Sequence, residues 1–453
     1  MYIDKVNIEN IRSIEKLEMQ FEEGSHAGWH VIIGDNGSGK STLVKSLALS
    51  VISSKDFKST NFGALRTNPK EWLSQKVNKG YIKTDIFGNF EFAQNIKPDN
   101  KPKIIDIKVE EHEDLHHLIA ELVTNDIPPI IRFNREEEEV THEMTFKTDS
   151  IVGKKFINKI FSSAFGPFRR FSGGNSELKK LFKTHPKLAR HLSIFKEDVD
   201  LSEALDWLQD VNYKRLEEKD NGSTENEDLL KSIFSFFNQS DLLPSETKLE
   251  KVNSDGIWFK DANGCTIEIN DLSDGYRSIL SLILELIRQL VGVFGSTEVF
   301  ETKENGSIHI KCEGIVLIDE VDAHLHPTWQ VRIGEWFLKY FPKFQFIVTT
   351  HSPLICRAAK NGSIWQMPEP GSDEQFRKLE GLEYKRLVYG NILDAYGTEA
   401  FGESTIVRSQ ESEELKDLLG ELNIKAAFGD ITDEENEKRI ELSKILSTDD
   451  PTH

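Results

Sequence analysis

The chain has 453 residues, 38% hydrophobic and 29% charged. This is an ordinary core-forming composition with room for about three domains, or one large domain with insertions. Its formal net charge of −20 excludes a surface that grips nucleic acid all over, although a local basic groove stays open.

The amino end, MYIDKVNIEN, lacks a basic segment followed by an apolar leader. The longest apolar run, around residues 279–295, is broken by Glu285, Arg288 and Gln289, so no membrane span is expected. Cys265, Cys312 and Cys356 are scattered and lack metal spacing. The expectation is a cytoplasmic protein with reduced thiols and no membrane partner.

Residues 1–33 read as strand, turn, strand, a short polar loop and the apolar strand WHVII. GDNGSGKS follows at 34–41, then a helix from about Ser41 to Ile52. The octet fits the G-x-x-x-x-G-K-[ST] pattern in the strand-to-helix setting that marks a P-loop, so a nucleotide is the expected ligand. Its glycines let the backbone N–H groups of Asn36, Gly37, Ser38 and Gly39 face phosphates. Lys40 is expected at the β- and γ-phosphates, Ser41 on Mg²⁺ and Thr42 at the α-phosphate.

Residues 80–110 hold strand-like pieces, GYIKTDIFG and IIDIKV, that read as a small antiparallel layer. Residues 111–124 and 176–240 read as helical, with the polar run LEEKDNGSTENED at 216–228 expected as a flexible loop. GKKF at 153–156, GPFRRF at 166–171 and LKKLFK at 178–183 are candidates for a local basic groove, or plain solvated faces.

GIWFKDANGCTIEIN predicts a hairpin around its Asn-Gly. It leads into NDLSDGYRS at 270–278, a helix start that offers backbone N–H groups and the Ser273 hydroxyl to an anion. In GIVLIDEVD, residues 314–322, Asp319 stands at a strand's carboxyl end, where it holds Mg²⁺ through water, and Glu320 polarises an attacking water. FIVTTHSP at 346–353 brings His351 to another strand end, within reach of the γ-phosphate or the attacking water. His324 and His326 read as part of a turn at a subunit contact rather than a zinc pair. The chain shows no internal repeat and no coiled-coil heptads.

A P-loop, a Leu-Ser-x-Gly helix start, an Asp-Glu strand end and a His strand end, in that order, resemble the ABC-type ATPase head. The resemblance implies an α/β fold, a P-loop core sheet with an antiparallel β layer, here joined by a helical insertion and a helical carboxyl-terminal tail. The expected boundaries are an amino-terminal ATPase lobe at 1–175, the insertion at 176–250, a second ATPase lobe at 251–366 and the tail at 367–453. The resemblance also implies that Ser273 and Gly275, with Asp322, act on nucleotide held by a second head. Asp274 and Tyr276 depart from the usual Leu-Ser-Gly-Gly-Gln, and Asp274 adds negative charge near a triphosphate.

The opening strands resemble the RecF, SMC and OLD-like group, in which an arginine at the position of Arg12 reaches nucleotide; an ordinary strand-end arginine is the other reading. AFGPFRRFSGG looks like a loop of the defence-associated branch that replaces or contains the element carrying the lateral glutamine of other heads. Together with HLSIFKEDVDLSEALDWLQD, DEVDAHLHPTWQ and NILDAYGTEAFG, it resembles the ATPases of Septu-type anti-phage systems, also found beside some retrons. That likeness implies head-to-tail dimers in larger oligomers, slow ATP hydrolysis with Mg²⁺, and control of a separate HNH nuclease subunit that acts on nucleic acid. The alternative is a DNA-repair or maintenance ATPase of the RecF/SMC type that acts on DNA directly. A nuclease inside this chain is not expected, since the stretch after residue 366 is too short for a Toprim fold.

Overall fold

The structure is a computed structural model that describes residues 2–52, 72, 79–87, 130–134, 140–143, 161–171, 176–243, 247–261, 263–372, 374–390, 410–428 and 431–446. The segments IIDIKV, 111–124, GKKF and NILDAYGTEAFG lie outside the described residues. The chain divides into two compact units, Met1–Glu380 and Gly381–His453.

In the first unit, β1 (Tyr2–Ile11) and β2 (Ile14–Gln20) form a hairpin, and β3 (Gly28–Ile33) runs fully buried into helix α1 (Lys40–Val51). Strands β4 (Lys79–Phe87), β5 (Ile130–Asn134) and β6 (Val140–Glu143) complete an antiparallel sheet of order β2-β1-β4-β5-β6. Strand β7 (Ser162–Phe165) is followed by α2 (Ser176–Thr184), two single turns at Pro186–Ala189 and Leu192–Phe195, and the helices α3 (Glu203–Asn221) and α4 (Glu225–Gln239).

A three-stranded antiparallel ribbon, β8 (Lys248–Asn253), β9 (Gly256–Lys260) and β10 (Thr266–Glu268), leads to the long helix α5 (Asp274–Phe294). The short pair β11 (Phe300–Thr302) and β12 (Ile308–Ile310) precedes β13 (Gly314–Ile318), α6 (Pro327–Tyr340) and β14 (Phe344–Thr349). Strands β15 (Gly362–Gln366) and β16 (Arg377–Lys378) finish the core sheet, whose order is β16-β15-β3-β14-β13-β7. Strands β15, β3, β14, β13 and β7 are parallel, and β16 is an antiparallel edge. That edge strand comes from the segment expected as tail.

Parallel strands covered on both faces read as continuous apolar runs, which is why β3, β13 and β14 are buried at every position. Helix α1 lays Leu43, Val44 and Leu47 in one core with Ile32, Ile315, Leu317 and Ile347 of the parallel sheet and Ile3, Val6 and Ile8 of the antiparallel one. A second, aromatic cluster joins β3, α6 and β14: Trp29 stacks on Phe337 at 5.8 Å, and Phe337 meets Phe346 at 4.8 Å. The sheet that carries the loops described below is thus packed through both faces.

The polar run at 216–228 is a correction to the sequence reading. Helix α3 continues to Asn221 and α4 begins at Glu225, so only Gly222–Thr224 is turn. Gly222 ends α3 at φ 71°, the left-handed conformation that suits glycine at this position. The Glu218 carboxylate then accepts the Asn226 backbone N–H at 2.9 Å and its amide at 2.6 Å.

In the second unit, α7 (Gly381–Tyr389) precedes α8 (Gln410–Phe428) and α9 (Asp433–Leu446). Lys425 and Glu435 pair between α8 and α9 at 2.6 Å, and the Glu435 carboxylate also accepts the Thr432 N–H, while Thr432 Oγ1 accepts that of Glu435. This reciprocal arrangement caps α9.

Candidate functional site: the carboxyl edge of the parallel sheet

Register decides what meets at the carboxyl edge. Val31 pairs with Val348 and Ile318 with Val348, so the ends of β3, β14 and β13 lie level. The loop after β3 is the P-loop octet, β13 runs into Asp319–Glu320, and β14 runs into Thr350–His351. Three motifs far apart in sequence therefore open on one crevice, the position where open parallel sheets bind ligands.

The P-loop turns tightly because Gly34, Gly37 and Gly39 all take positive φ, at 146°, 80° and 101°. At Gly39, the residue that starts α1, a Cβ would also come within 2.9 Å of Ser13 Oγ. Lys40 Nζ donates to the carbonyls of Gly34 at 2.7 Å and Asp35 at 2.8 Å, which holds its ammonium inside the loop. Burial lowers the Lys40 pKa, while Asp319, Glu320, Asp35 and Asp322 pull it back up. The Ser38 hydroxyl is buried and makes no hydrogen bond, and Thr42 is buried at the first turn of α1. Asn36 and Gly37 are exposed.

Asp319 is buried, and its Oδ1 accepts the Thr349 hydroxyl at 2.6 Å. The same hydroxyl oxygen accepts the Glu320 N–H at 2.7 Å. Glu320 takes φ 47°, a left-handed conformation that costs a non-glycine residue about 1–2 kcal/mol. Thr349 is one of two residues that hold this turn, and sequence reasoning passed it over because its role appears only when β13 and β14 pair.

Arg169 is the other. GPFRRF follows β7, whose Phe165 is level with Ile318, so the loop folds over the end of β13. Arg169 is only 5% exposed, which removes it from the basic groove considered for this segment; its neighbour Arg170 is exposed. Its Nη1 donates to the carbonyls of Gly166 and Asp319, each at 3.0 Å. Nη2 donates to the carbonyls of Glu320 at 3.0 Å and Val321 at 3.4 Å, and Nε to Ser278 Oγ at 3.4 Å. Burial pulls its pKa down to about 10, against Asp322, Asp319 and Glu320, so the guanidinium stays charged at neutral pH.

His351 titrates below the ordinary imidazole value, first through desolvation and then through Lys40, against Asp322, Glu320 and Asp35. The ring therefore shares the field of the P-loop lysine and the acids. Asp322 is half-buried, and its Oδ1 is buried with no hydrogen bond. His326 caps α6, taking the Thr328 N–H at 3.4 Å, and His324 stands at φ 65° in the preceding turn. Among the described residues no cluster of three or more His, Cys, Asp or Glu forms a metal cage.

Ser273 is exposed and starts α5 without a capping bond from its side chain. Gly275 packs so closely on the 322–326 turn that a Cβ would lie 2.8 Å from the His324 carbonyl oxygen. Asp274 pairs with Arg277, which also donates to the Asn270 carbonyl at 2.9 Å. The acidic substitution in the signature motif thus carries its own countercharge. Arg12, at φ 50° in the turn between β1 and β2, lays its guanidinium 4.6 Å from the centre of the Trp72 ring. Burial lowers the pKa of Lys45 on α1, Asp319 opposes the shift, and the Arg12 charge adds to it.

Comparison with known proteins finds ATPases. A model described as an AAA ATPase domain matches residues 1–166, and one described as "AAA domain, putative AbiEii toxin, Type IV TA system" matches 154–357. A Septu protein PtuA of Bacillus mycoides (strain KBAB4) is 25% identical over 443 residues, covering 93% of this chain and 50% of the relative. The chain thus spans about half the length of that protein. A retron Vc95 probable ATPase of Vibrio cholerae is 26% identical over 418 residues, covering 84% of this chain and 74% of the relative. Among solved structures, an SmcHead bound to the C-winged helix domain of ScpA is 15% identical, with a TM-score of 0.43, over 85% of this chain and all of that one. By its curated relatives and the two ATPase models that match it, the chain is similar to the Septu PtuA proteins and the retron ATPases, a likeness that supports an ABC-type ATPase.

Proposed function

We propose that the chain binds and slowly hydrolyses ATP as the regulatory subunit of an anti-phage defence complex. The observation that carries this reading is the strand register that brings the P-loop with Lys40, the Asp319–Glu320 pair and His351 to one sheet edge. Lys40 leaves its two loop carbonyls for the β- and γ-phosphates, and the N–H groups of residues 36–39 line the phosphate path. Arg12 reaches the nucleotide from the β1–β2 turn. Glu320 accepts a proton from the attacking water, and the exposed His351, its pKa lowered by partial desolvation and by Lys40, hydrogen-bonds the γ-phosphate or that water.

The residues present fit Mg²⁺: the Ser41 hydroxyl and the Asp319 carboxylate are hard oxygen donors on neighbouring elements. Such an ion would neutralise charge building on the phosphates. Ser273 and Gly275 would meet nucleotide held by a second copy, giving head-to-tail dimers and larger oligomers. The uncapped Ser273 hydroxyl at a 21-residue helix start supports that role.

The names of the relatives support the defence setting. The partner that follows from the likeness is an HNH nuclease subunit, restrained while ATP is bound, through which the complex meets nucleic acid in the cytoplasm. The test is a tagged pull-down from the native operon followed by plasmid cleavage with and without ATP. A co-purifying small HNH protein whose cutting falls on adding ATP is the expected result. Recovery of the ATPase alone, with ATP-dependent DNA binding and no cutting, would instead make it a head that acts on DNA directly.

A further inference from the structure

We propose that Arg169 is a positioning residue that fixes the catalytic turn at Glu320 and ties it to the signature helix of the same head. This rests on the reading of Glu320 as the base in ATP hydrolysis. A guanidinium has five N–H donors in a rigid planar fork and no acceptor. Here all five have acceptors: the carbonyls of Gly166, Asp319, Glu320 and Val321, and the Ser278 hydroxyl.

Three of those carbonyls are consecutive, at the point where β13 ends and the backbone swings through φ 47° at Glu320. The Glu320 carbonyl also takes the Ala323 N–H at 3.0 Å, and carbonyls turned inward at a strand end need donors. Arg169 supplies side-chain donors to all three from one side, and the Thr349 hydroxyl accepts the Glu320 N–H from the other. The carboxylate of Glu320 is therefore aimed by groups that do not themselves touch substrate.

The fifth donor gives the arrangement a second consequence. Ser278 is buried one turn into α5, the helix that Ser273 begins, and Gly275 of that helix rests on the His324 carbonyl. A shift of the signature turn is transmitted to Glu320 by two routes, through the 322–326 turn and through Arg169. The loop that carries Arg169 is itself tied to the helical insertion, since Leu201 N–H donates to the Arg170 carbonyl at 2.8 Å. The guanidinium is a junction between the loop after β7, the acid pair and the signature helix.

The experiment compares Arg169→Lys with wild type by ATP turnover, binding of a fluorescent ATP analogue and thermal melting, with Glu320→Gln alongside. Lysine keeps the charge but offers three donors on a compact ammonium, so it cannot hold all five acceptors. The expected result is a kcat lowered by about 10- to 100-fold, the cost typical of misplacing a reacting group by about 1 Å. KM and analogue affinity should stay within about threefold, since Lys40 and the P-loop are untouched.

Arg169→Lys turning over ATP at the wild-type rate overturns the proposal. So does a loss of affinity that matches the loss of turnover, which marks a general structural role. If Arg169→Ala fails to fold, Arg169→Lys decides alone. The two readings separate in Glu320→Gln: full activity there removes Glu320 as the base, whereas an inactive Glu320→Gln beside a fully active Arg169→Lys removes only the positioning role.

Discussion

The carboxyl edge of the parallel sheet and the start of α5 are built in opposite ways. At the edge, Asp319 and Glu320 are held from two sides by Thr349 and Arg169, and their backbone carbonyls and N–H groups are satisfied within the chain. At the start of α5, Ser273 is exposed, its hydroxyl caps nothing, and Asp274 is matched only by its own Arg277. A catalytic group gains from being preorganised before substrate arrives. A group that meets ligand on another copy must instead stay presented outward. The difference between the two regions is what the proposed division of the site between two chains predicts.

The largest effect should come from the preorganised half. Glu320→Gln keeps the shape and loses the proton acceptor, so turnover should fall by about 100-fold or more, while ATP binding persists and the dimer stays closed. Steady-state phosphate release and size-exclusion in ATP measure the two outcomes. Wild-type turnover in this variant would mean that the base lies elsewhere on the edge.

The outward half is tested by mixing. Lys40→Ala should weaken ATP binding by about 10- to 100-fold, since a charge-assisted phosphate contact is worth about 1.5–3 kcal/mol. Ser273→Arg should block the trans contact while leaving Lys40 in place. Alone, each variant has every shared site damaged. In a one-to-one mixture, head-to-tail pairing puts both lesions in one site of each mixed dimer and leaves the other intact. Activity should then recover to about a quarter of wild type by that symmetry argument. A mixture no more active than its components would show that both motifs serve the same head.

Thr349→Val asks how much of the edge depends on one hydroxyl. The substitution keeps the branched shape favoured in a strand but strips Asp319 Oδ1 and the Glu320 N–H of their common partner. Stability should drop by about 1–3 kcal/mol, the cost of leaving buried polar groups open, as read by urea unfolding. Thr349→Ser, which restores the hydroxyl, should recover most of it. If valine is as stable and active as threonine, the turn is held by Arg169 alone.

Motifs written in consecutive residues were legible in the sequence: the P-loop octet, the acidic strand end, the hairpin before α5 and the buried strands themselves. Each follows from local chemistry, glycine for a left-handed turn or an apolar run for a doubly covered strand. Arg169 and Thr349 were not legible, because their partners lie 151 and 29 residues away from the Glu320 contact each makes. Only sheet register brings them together. FRRF offers two adjacent arginines of equal appeal, and nothing local says that one turns inward. The polar run at 216–228 was misread for a different reason: composition was weighed above capping, although Gly222 and the Glu218–Asn226 pair were the signals of one helix ending and another beginning.

The smallest effect concerns His351, where the two regions of charge meet on one ring. Its imidazole is held below the ordinary value of 6.5, by desolvation first and by the Lys40 ammonium second, while Asp322, Glu320 and Asp35 oppose the shift. A depressed pKa keeps the ring neutral down to a lower pH than an isolated imidazole, so its hydrogen bonding to phosphate or water persists into mildly acidic solution. Lys40→Ala removes one cause and leaves the partial desolvation, so the His351 pKa should rise without exceeding that of a ring freed from both. Asp322→Asn removes an opposing charge and should lower it further. Histidine ring titration followed by NMR in the three proteins gives the order directly: Lys40→Ala highest, wild type between, Asp322→Asn lowest. An unchanged value in Lys40→Ala would mean that the lysine and the imidazole do not share a field, and the crevice at the sheet edge would then have to be divided into separate sites.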